Sequence, residues 1–471
     1  MELYITEISR YFIALLFLFY TLECFYAFRY SDEEKRSGIY IRQTLLMFFI
    51  HFSCFMVICF ETGKMEYLFF YILQQILLFA TGVLFHMVYP KGNRLLINNM
   101  CMLLCVGFVI LTRLSYEKAM KQFFIVAVSI AVGMIMPFFV HKIKSLKHFT
   151  WLYALVGVAA LGIVLALGSV THGSKISYSV AGVTFQPSEF VKILFVFFVA
   201  GALQETNDFL RVMTTAIVAG IHVLILVASK DLGSALIFFI VYVLMVYIAT
   251  RKGIYLLLGA AGGCGAAMLA FQFYSHVQVR VQAWQDPWSC IDDAGYQITQ
   301  SLFAISSGSW FGLGLFEGNP GSIPFVETDF VFSAVAEELG IVFAMCVILI
   351  SISSFLMVMK LAMQLKDRFY QLCAFGFGVT YIFQVFLTIG GGTKFIPMTG
   401  VTLPFISYGG SSVLTTLTMF FIIEGICMIG QDEGAKRVRR KKKKASKERE
   451  EREGSGASKE KTETGASEQD E

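Results

Sequence analysis

Apolar residues in this chain do not alternate with polar ones. They continue for about twenty positions at a time and are then interrupted by short clusters of charge. A helix rises about 1.5 Å per residue, so roughly 20 apolar residues cross a hydrocarbon layer of about 30 Å. On that measure spans are expected at 10–29, 40–61, 66–88, 95–112, 120–139, 149–168, 188–205, 210–229, 232–249, 253–273, 334–356, 370–391 and 404–429, thirteen in all. Loops as short as Glu61–Lys64 and Ser229–Asp231 separate neighbouring runs. Lipid offers no partners to backbone N–H and C=O groups, so each run reads as α-helix and the fold class as an all-α polytopic membrane protein. The long interval 274–333 is rich in aromatics and glycine, and is expected to pack over the helices or re-enter them. Within it Ile298–Phe311 has the pattern of a short amphipathic surface helix.

Composition agrees. Of 471 residues 56% are hydrophobic and 15% charged, whereas a soluble domain carries about 25% charge. Residues 432–471 alone hold 13 of the 38 Lys and Arg and 11 of the 34 Asp and Glu. Basic clusters at Lys35–Arg42, Lys91–Arg94, His141–His148, Arg251–Lys252, Lys360–Arg368 and Lys436–Lys444 fall on one side of a thirteen-span map. Met1–Ser9, with two Glu and no base, falls on the other side with 274–333. Short cytoplasmic loops carry the excess of Lys and Arg, so the N-terminus is expected outside and the C-terminus in the cytoplasm. No basic region precedes the first run and no cleavage pattern follows it, so it reads as a retained span. From 431 onward too little is apolar to build a core, and a disordered basic and acidic cytoplasmic tail is expected. Its basic run lacks reading or stacking groups, which argues against nucleic acid. Nine of the ten cysteines fall in spans as packing residues; Cys290 stands alone in the long external segment.

Ionisable groups at or inside spans are costly and mark candidate chemistry. Glu189 and Lys192 share a helix face at i,i+3, Lys230–Asp231 and Lys394 sit at span ends, and Glu337 and Glu338 are adjacent near the start of another span. These groups gather toward the external side, where the long segment adds Arg280, Asp292, Asp293, Gln297 and Asp329. A polar cavity opening outward is the expectation. It suits an enzyme whose substrate has a lipid tail and a polar head, or a transporter of an amphipathic solute. No helix pair shows an internal repeat, which weakens a transporter built from inverted halves.

Five strings narrow this further: QPSEFVK at Gln186–Lys192, KDLGSA at Lys230–Ala235, GYQITQS at Gly295–Ser301, TDFVFSAVAEELG at Thr328–Gly340 and TGVTLPFISYGGSS at Thr399–Ser412. In this order they resemble the bacterial shape, elongation, division and sporulation (SEDS) family, the FtsW/RodA/SpoVE proteins, over about residues 90 to 430. The resemblance implies a ten-helix core at 90–430, with residues 1–89 as about three additional N-terminal transmembrane helices and 431–471 as the tail. It implies a multi-pass protein of the bacterial cytoplasmic membrane that polymerises lipid II into β-1,4 glycan strands on the outer face and releases undecaprenyl pyrophosphate. Lipid II translocation, or a scaffold for a class B penicillin-binding protein, is the alternative. Implied partners are lipid II, the growing strand, that transpeptidase and other divisome or elongasome proteins.

Such a reaction requires a base for the GlcNAc 4-hydroxyl and cations for the departing pyrophosphate. The family's proposed catalytic aspartate lies in a pattern like W-x-N-P-W-x-D-P ahead of G-Y-Q. Here Trp284–Gln297 reads WQDPWSCIDDAGYQ, which puts Cys290 at that position. The base is then expected at Asp292, with Asp293 as the alternative. Arg280 and Lys394 are candidates for the pyrophosphate, Lys230 and Asp231 for the cavity rim, and Gln297, Ser407, Ser411 and Ser412 for substrate contacts. Glu189, Lys192, Asp329, Glu337 and Glu338 are read as a cavity or loop network; a divalent cation, Mg or Mn, held by Asp329 and Glu337–Glu338 is the other reading of the last three. The family's arginine–tryptophan pair before QPSE is missing, and Lys175 is the nearest base.

Overall fold

The computed structural model of the protein describes residues 2–30, 32–171, 174–180, 183–205 and 208–436. The helices are, in order, α1 (Glu2–Arg29), α2 (Glu33–Thr62), α3 (Met65–Val88), α4 (Arg94–Leu114), α5 (Tyr116–Gly133), α6 (Met136–Lys142), α7 (Thr150–Leu167), α8 (Pro187–Leu203), α9 (Phe209–Ala228), α10 (Leu232–Thr250), α11 (Ile254–Phe273), α12 (Ser275–Gln285), α13 (Tyr296–Gly308), α14 (Val331–Gln364), α15 (Arg368–Gly392) and α16 (Gly410–Lys436). Twelve spans among the described residues are long and apolar enough to cross a membrane, with α5 and α6 counted as one, and α8 supplies the thirteenth run at 17 residues. The break between α5 and α6 precedes Pro137, which has no N–H to continue the ladder.

Three details depart from the apolar pattern. The last helix begins at Gly410, not 404, because Pro404 and a positive φ at Phe405 keep that stretch irregular. At its other end it continues through 431–436, where the tail was expected to begin; residues 437–471 lie outside the described residues. Between α7 and α8 the chain forms a small antiparallel sheet of β1 (Ser169–Thr171), β2 (Ser174–Val180) and β3 (Val183–Phe185), in the order β1-β2-β3. Strands this short escape a reading based on twenty-residue runs.

The helices α1–α3 are built into the bundle. Phe17 of α1 stacks on Phe343 of α14 with centroids 3.8 Å apart. Beside it, Tyr20 and Cys24 both donate to Asn99 Oδ1 on α4, at 3.2 and 3.1 Å, while Asn99 Nδ2 donates to Ser354 on α14. Polar side chains in lipid lower their cost by pairing across helices, so this seam fixes how α1 sits on the core. Farther along, Tyr89 donates to the Met134 carbonyl at 2.6 Å, closing α3 onto the α5–α6 break. In the centre α4 is almost wholly enclosed, whereas α11 buries no residue. The long connection after α11 and the loop after α15 cover one end of the bundle. Arg10 near the start of α1 reaches the same end, donating to the Gly312 carbonyl at 3.0 Å. At the opposite end Asp432 pairs with Lys91 and His141, and Glu424 accepts from Asn93 N at 2.7 Å.

Candidate active site

The loop 393–409 meets Thr328 through Ser407 and Gly233 beside Val401, and its own sequence explains its shape. Lys394, Gly400 and Phe405 all have positive φ, so the segment turns repeatedly instead of continuing α15. On its outer side, Trp284 of α12 donates from Nε1 to the Lys394 carbonyl at 3.1 Å, and Arg280 donates to the Met398 carbonyl at 3.3 Å. Gly400 lies between two charges: a Cβ placed on it would be 3.9 Å from both Arg280 Nη2 and Asp329 Oδ2. Farther along, the Thr328 carbonyl and the Leu403 amide both bond Ser407 Oγ, which is buried. That hydroxyl, expected as a substrate contact, bonds two backbone groups that hold the turn.

The remaining strings join at the inner side of this loop. Asp231 Oδ1 caps α10 by accepting from Ser234 N at 3.1 Å. Its Oδ2 accepts from Ser188 Oγ at 3.1 Å and Gln186 Nε2 at 3.2 Å, and Gln186 N donates to Ser411 Oγ at 3.0 Å. Below them the buried Lys192 lies 2.8 Å from Glu189 and donates to Gln384 Oε1 at 2.9 Å. Gln384 in turn donates to Ser412 and to the Thr402 carbonyl. The expected i,i+3 pair is present, and Gln384 is the partner that sequence reasoning missed; a glutamine inside an apolar run was its signal.

Glu337 and Glu338 organise the long connection. α14 breaks at Gly340, with φ 88° and ψ 167°. The freed backbone groups are taken up by the preceding loop: Leu313 N and Gly314 N donate to the carbonyls of Glu337 and Glu338, and Ile341 N donates to the Ser309 carbonyl. The Glu338 carboxylate is buried and accepts from Arg113 Nε at 2.7 Å, while Glu337 Oε1 accepts from Asn319 N at 2.8 Å. Arg113 lies 225 residues away from Glu338 at the end of α4, a separation that no local pattern bridges. Among the described residues no three His, Cys, Asp or Glu side chains converge as a metal-binding group. The three carboxylates thus do not fit a ready cation site.

Under this cover lies a cavity of about 400 Å³ whose wall includes Arg280, Trp284, Asp293, Gln297 and Met398. Its shape comes from a tight turn at 290–295, in which the Cys290 carbonyl accepts from Asp293 N at 3.1 Å and Gly295 N at 2.9 Å. That turn starts α13, anchored beneath by Ser301, which bonds Ser333 and the Gly392 carbonyl. Asp293 lies on the cavity wall. Asp292, the expected base, is outside it although both aspartates are exposed, and Cys290 is half-buried with its Sγ 3.5 Å from the Asp286 carbonyl. Lys394 contributes its carbonyl to Trp284, but is not part of the wall. His276 on α12, not singled out by the sequence, stands close to Arg280 and Lys230; burial and then those two charges hold its imidazole below the ordinary range.

The sequence model of FtsW/RodA/SpoVE, described as a cell cycle protein, matches residues 93–430. The chain belongs to the FtsW/RodA/SpoVE family. The match begins past α3 and takes in every helix from α4 to nearly the end of α16. Peptidoglycan glycosyltransferase RodA of Mycobacterium bovis is 30% identical over 382 residues, covering 75% of this chain and 80% of that protein. The probable peptidoglycan glycosyltransferase FtsW of Bacillus subtilis is 29% identical over 325 residues, 66% of this chain and 81% of that one. Among solved structures, a chain from a peptidoglycan synthase complex described as coordinating polymerization and crosslinking superposes with a TM-score of 0.62 at 23% identity, over 72% of this chain and 98% of that one. The Thermus thermophilus rod shape determining protein RodA gives 0.52 at 22% identity, over 72% and 97%. At these identities the structures speak for the fold.

Proposed function

We propose that this FtsW/RodA/SpoVE protein is a peptidoglycan glycosyltransferase that polymerises lipid II on the outer face of the bacterial cytoplasmic membrane. The observation that carries the reading is one cavity presenting a carboxylate, a guanidinium and an amide, Asp293, Arg280 and Gln297, beneath the long connection. Basic loops on the opposite end support the outward orientation.

The acceptor's GlcNAc 4-hydroxyl attacks the anomeric carbon of the donor MurNAc, forming the new C–O bond as the bond to the pyrophosphate breaks. Asp293 receives the hydroxyl proton, and its place on the cavity wall favours it over Asp292. Arg280, with Lys230 nearby, offsets charge growing on undecaprenyl pyrophosphate. Gln297 can hold a sugar hydroxyl or amide. Cys290 accepts no proton in this scheme. A class B penicillin-binding protein is the proposed partner, supported by the synthase complex among the fold relatives.

The test is strand formation from purified lipid II, with the partner's crosslinking blocked. Asp293→Asn should lower the rate about 100-fold or more, whereas Asp292→Asn stays within a few-fold of wild type. Loss with Asp292→Asn alone would move the base back to Asp292. No strands from folded, partner-bound wild type would leave translocation or scaffolding.

A further inference from the structure

The ends of α10, α14 and α15 meet at the end of the bundle opposite the cavity. Between them lies a pocket of about 250 Å³ whose wall includes Arg251, Lys366, Arg368 and Gln371, with Ile248 and Leu372 on its apolar side. Two acids stand close by. Asp367 accepts from Phe369 N at 3.0 Å as the cap of α15, Glu433 accepts from Lys366 N at 2.9 Å, and neither lines the pocket. Arg368 donates to the Ala249 carbonyl, which ties α15 to the last turn of α10 and fixes the wall. Arg251 follows α10 with φ 56°, in the left-handed conformation that ends many helices on glycine. A non-glycine residue is disfavoured in that conformation, yet the position holds an arginine that lines the pocket.

Three basic residues line one small space, and Ile248 beside them offers an amphipathic ligand an apolar contact. We propose that this pocket binds the phosphate of an anionic phospholipid headgroup, with the phosphodiester against Arg251, Lys366 and Arg368 and the glycerol portion against Ile248. The pocket lies among the basic loops, where an anionic leaflet is expected. The inference is independent of the polymerase reading, because binding is measured without glycan synthesis.

The experiment is native mass spectrometry of the full-length chain in detergent, titrated separately with phosphatidylglycerol, phosphatidylcholine and inorganic phosphate. Phosphatidylglycerol should bind in preference to phosphatidylcholine, and Arg251→Gln/Lys366→Gln should weaken it about 30-fold, roughly fivefold per charge. Arg251→Lys/Lys366→Arg should retain most of the binding, which separates lost charge from lost fold; size-exclusion profiles check the latter. Inorganic phosphate that displaces the lipid at equal concentration would support the same site with free phosphate as its source. Equal adducts of both lipids, or phosphatidylglycerol binding unchanged in the glutamine variant, would overturn the proposal.

Discussion

At the scale of single residues, two buried or crowded charges carry most of the argument. Glu338 is wholly buried and its carboxylate meets Arg113 Nε at 2.7 Å. Removing one partner of a buried pair leaves the other charge uncompensated, at a cost of about 3–5 kcal/mol. Arg113→Met should therefore lower the thermal unfolding midpoint sharply, and Arg113→Met/Glu338→Gln should recover part of the loss. An unchanged midpoint in the single variant would show that the pair holds nothing. His276 behaves differently. Its native imidazole resists protonation through burial and the charges of Arg280 and Lys230, whereas the unfolded chain accepts a proton near the ordinary value of 6.5. Its contribution to stability is therefore complete above about pH 6.5 and is lost as pH falls from there through the lowered native value. Melting curves should decline on acidification more in wild type than in His276→Asn, and parallel declines would reject that origin.

At the scale of elements, most helices could be located from run length, because lipid imposes one solution on any twenty-residue apolar stretch. The break in α14 was not visible in that way. Its run reads as one continuous span from 334 to 356, yet at Gly340 the backbone leaves the helix, and the loop around Gly312 pairs with it. A Cβ on Gly340 would lie 2.3 Å from Gly312 N, and φ is positive there as well. Gly340→Ala is expected to separate the loop from the helix, with loss of folded protein or a drop of several degrees in the midpoint. A well-folded variant of wild-type stability would mean that the helix can close over the break. The irregular stretch before α16 has a similar origin: an apolar run was read as helix from 404, while Ser407 Oγ is held by the Thr328 carbonyl and Tyr408 N by the Glu327 carbonyl.

At the scale of the whole molecule, α1–α3 are held to the family core by the seam at Asn99. Replacing Asn99 with Leu removes the shared partner of Tyr20, Cys24 and Ser354. Ser354 keeps the Ile350 carbonyl and Cys24 keeps Gln43, so the stranded group is the buried Tyr20 hydroxyl, at a cost of about 1–3 kcal/mol, visible as earlier exposure of α1 in limited proteolysis. Proteolysis unchanged from wild type would assign the attachment to apolar packing such as Phe17 on Phe343. The first helix also reaches the cover of the bundle. Arg10 on the same helix holds the Gly312 carbonyl, and Gly312 lies in the loop that braces α14 beside Glu337 and Glu338.

The sequence by itself determined the class, the span order and the family, because hydrophobic length is a local quantity and the five strings are contiguous. It also identified most of the residues that now meet around 393–409, including the Glu189–Lys192 pair, whose spacing lies within one helix. Only the tertiary structure decided which aspartate faces the cavity, since Asp292 and Asp293 are chemically alike and a single turn closed on the Cys290 carbonyl separates them. It likewise decided that the Ser407 hydroxyl bonds two backbone groups and that Glu338 answers Arg113. Partners hundreds of residues apart are chosen by how helices pack, and packing depends on every contact at once.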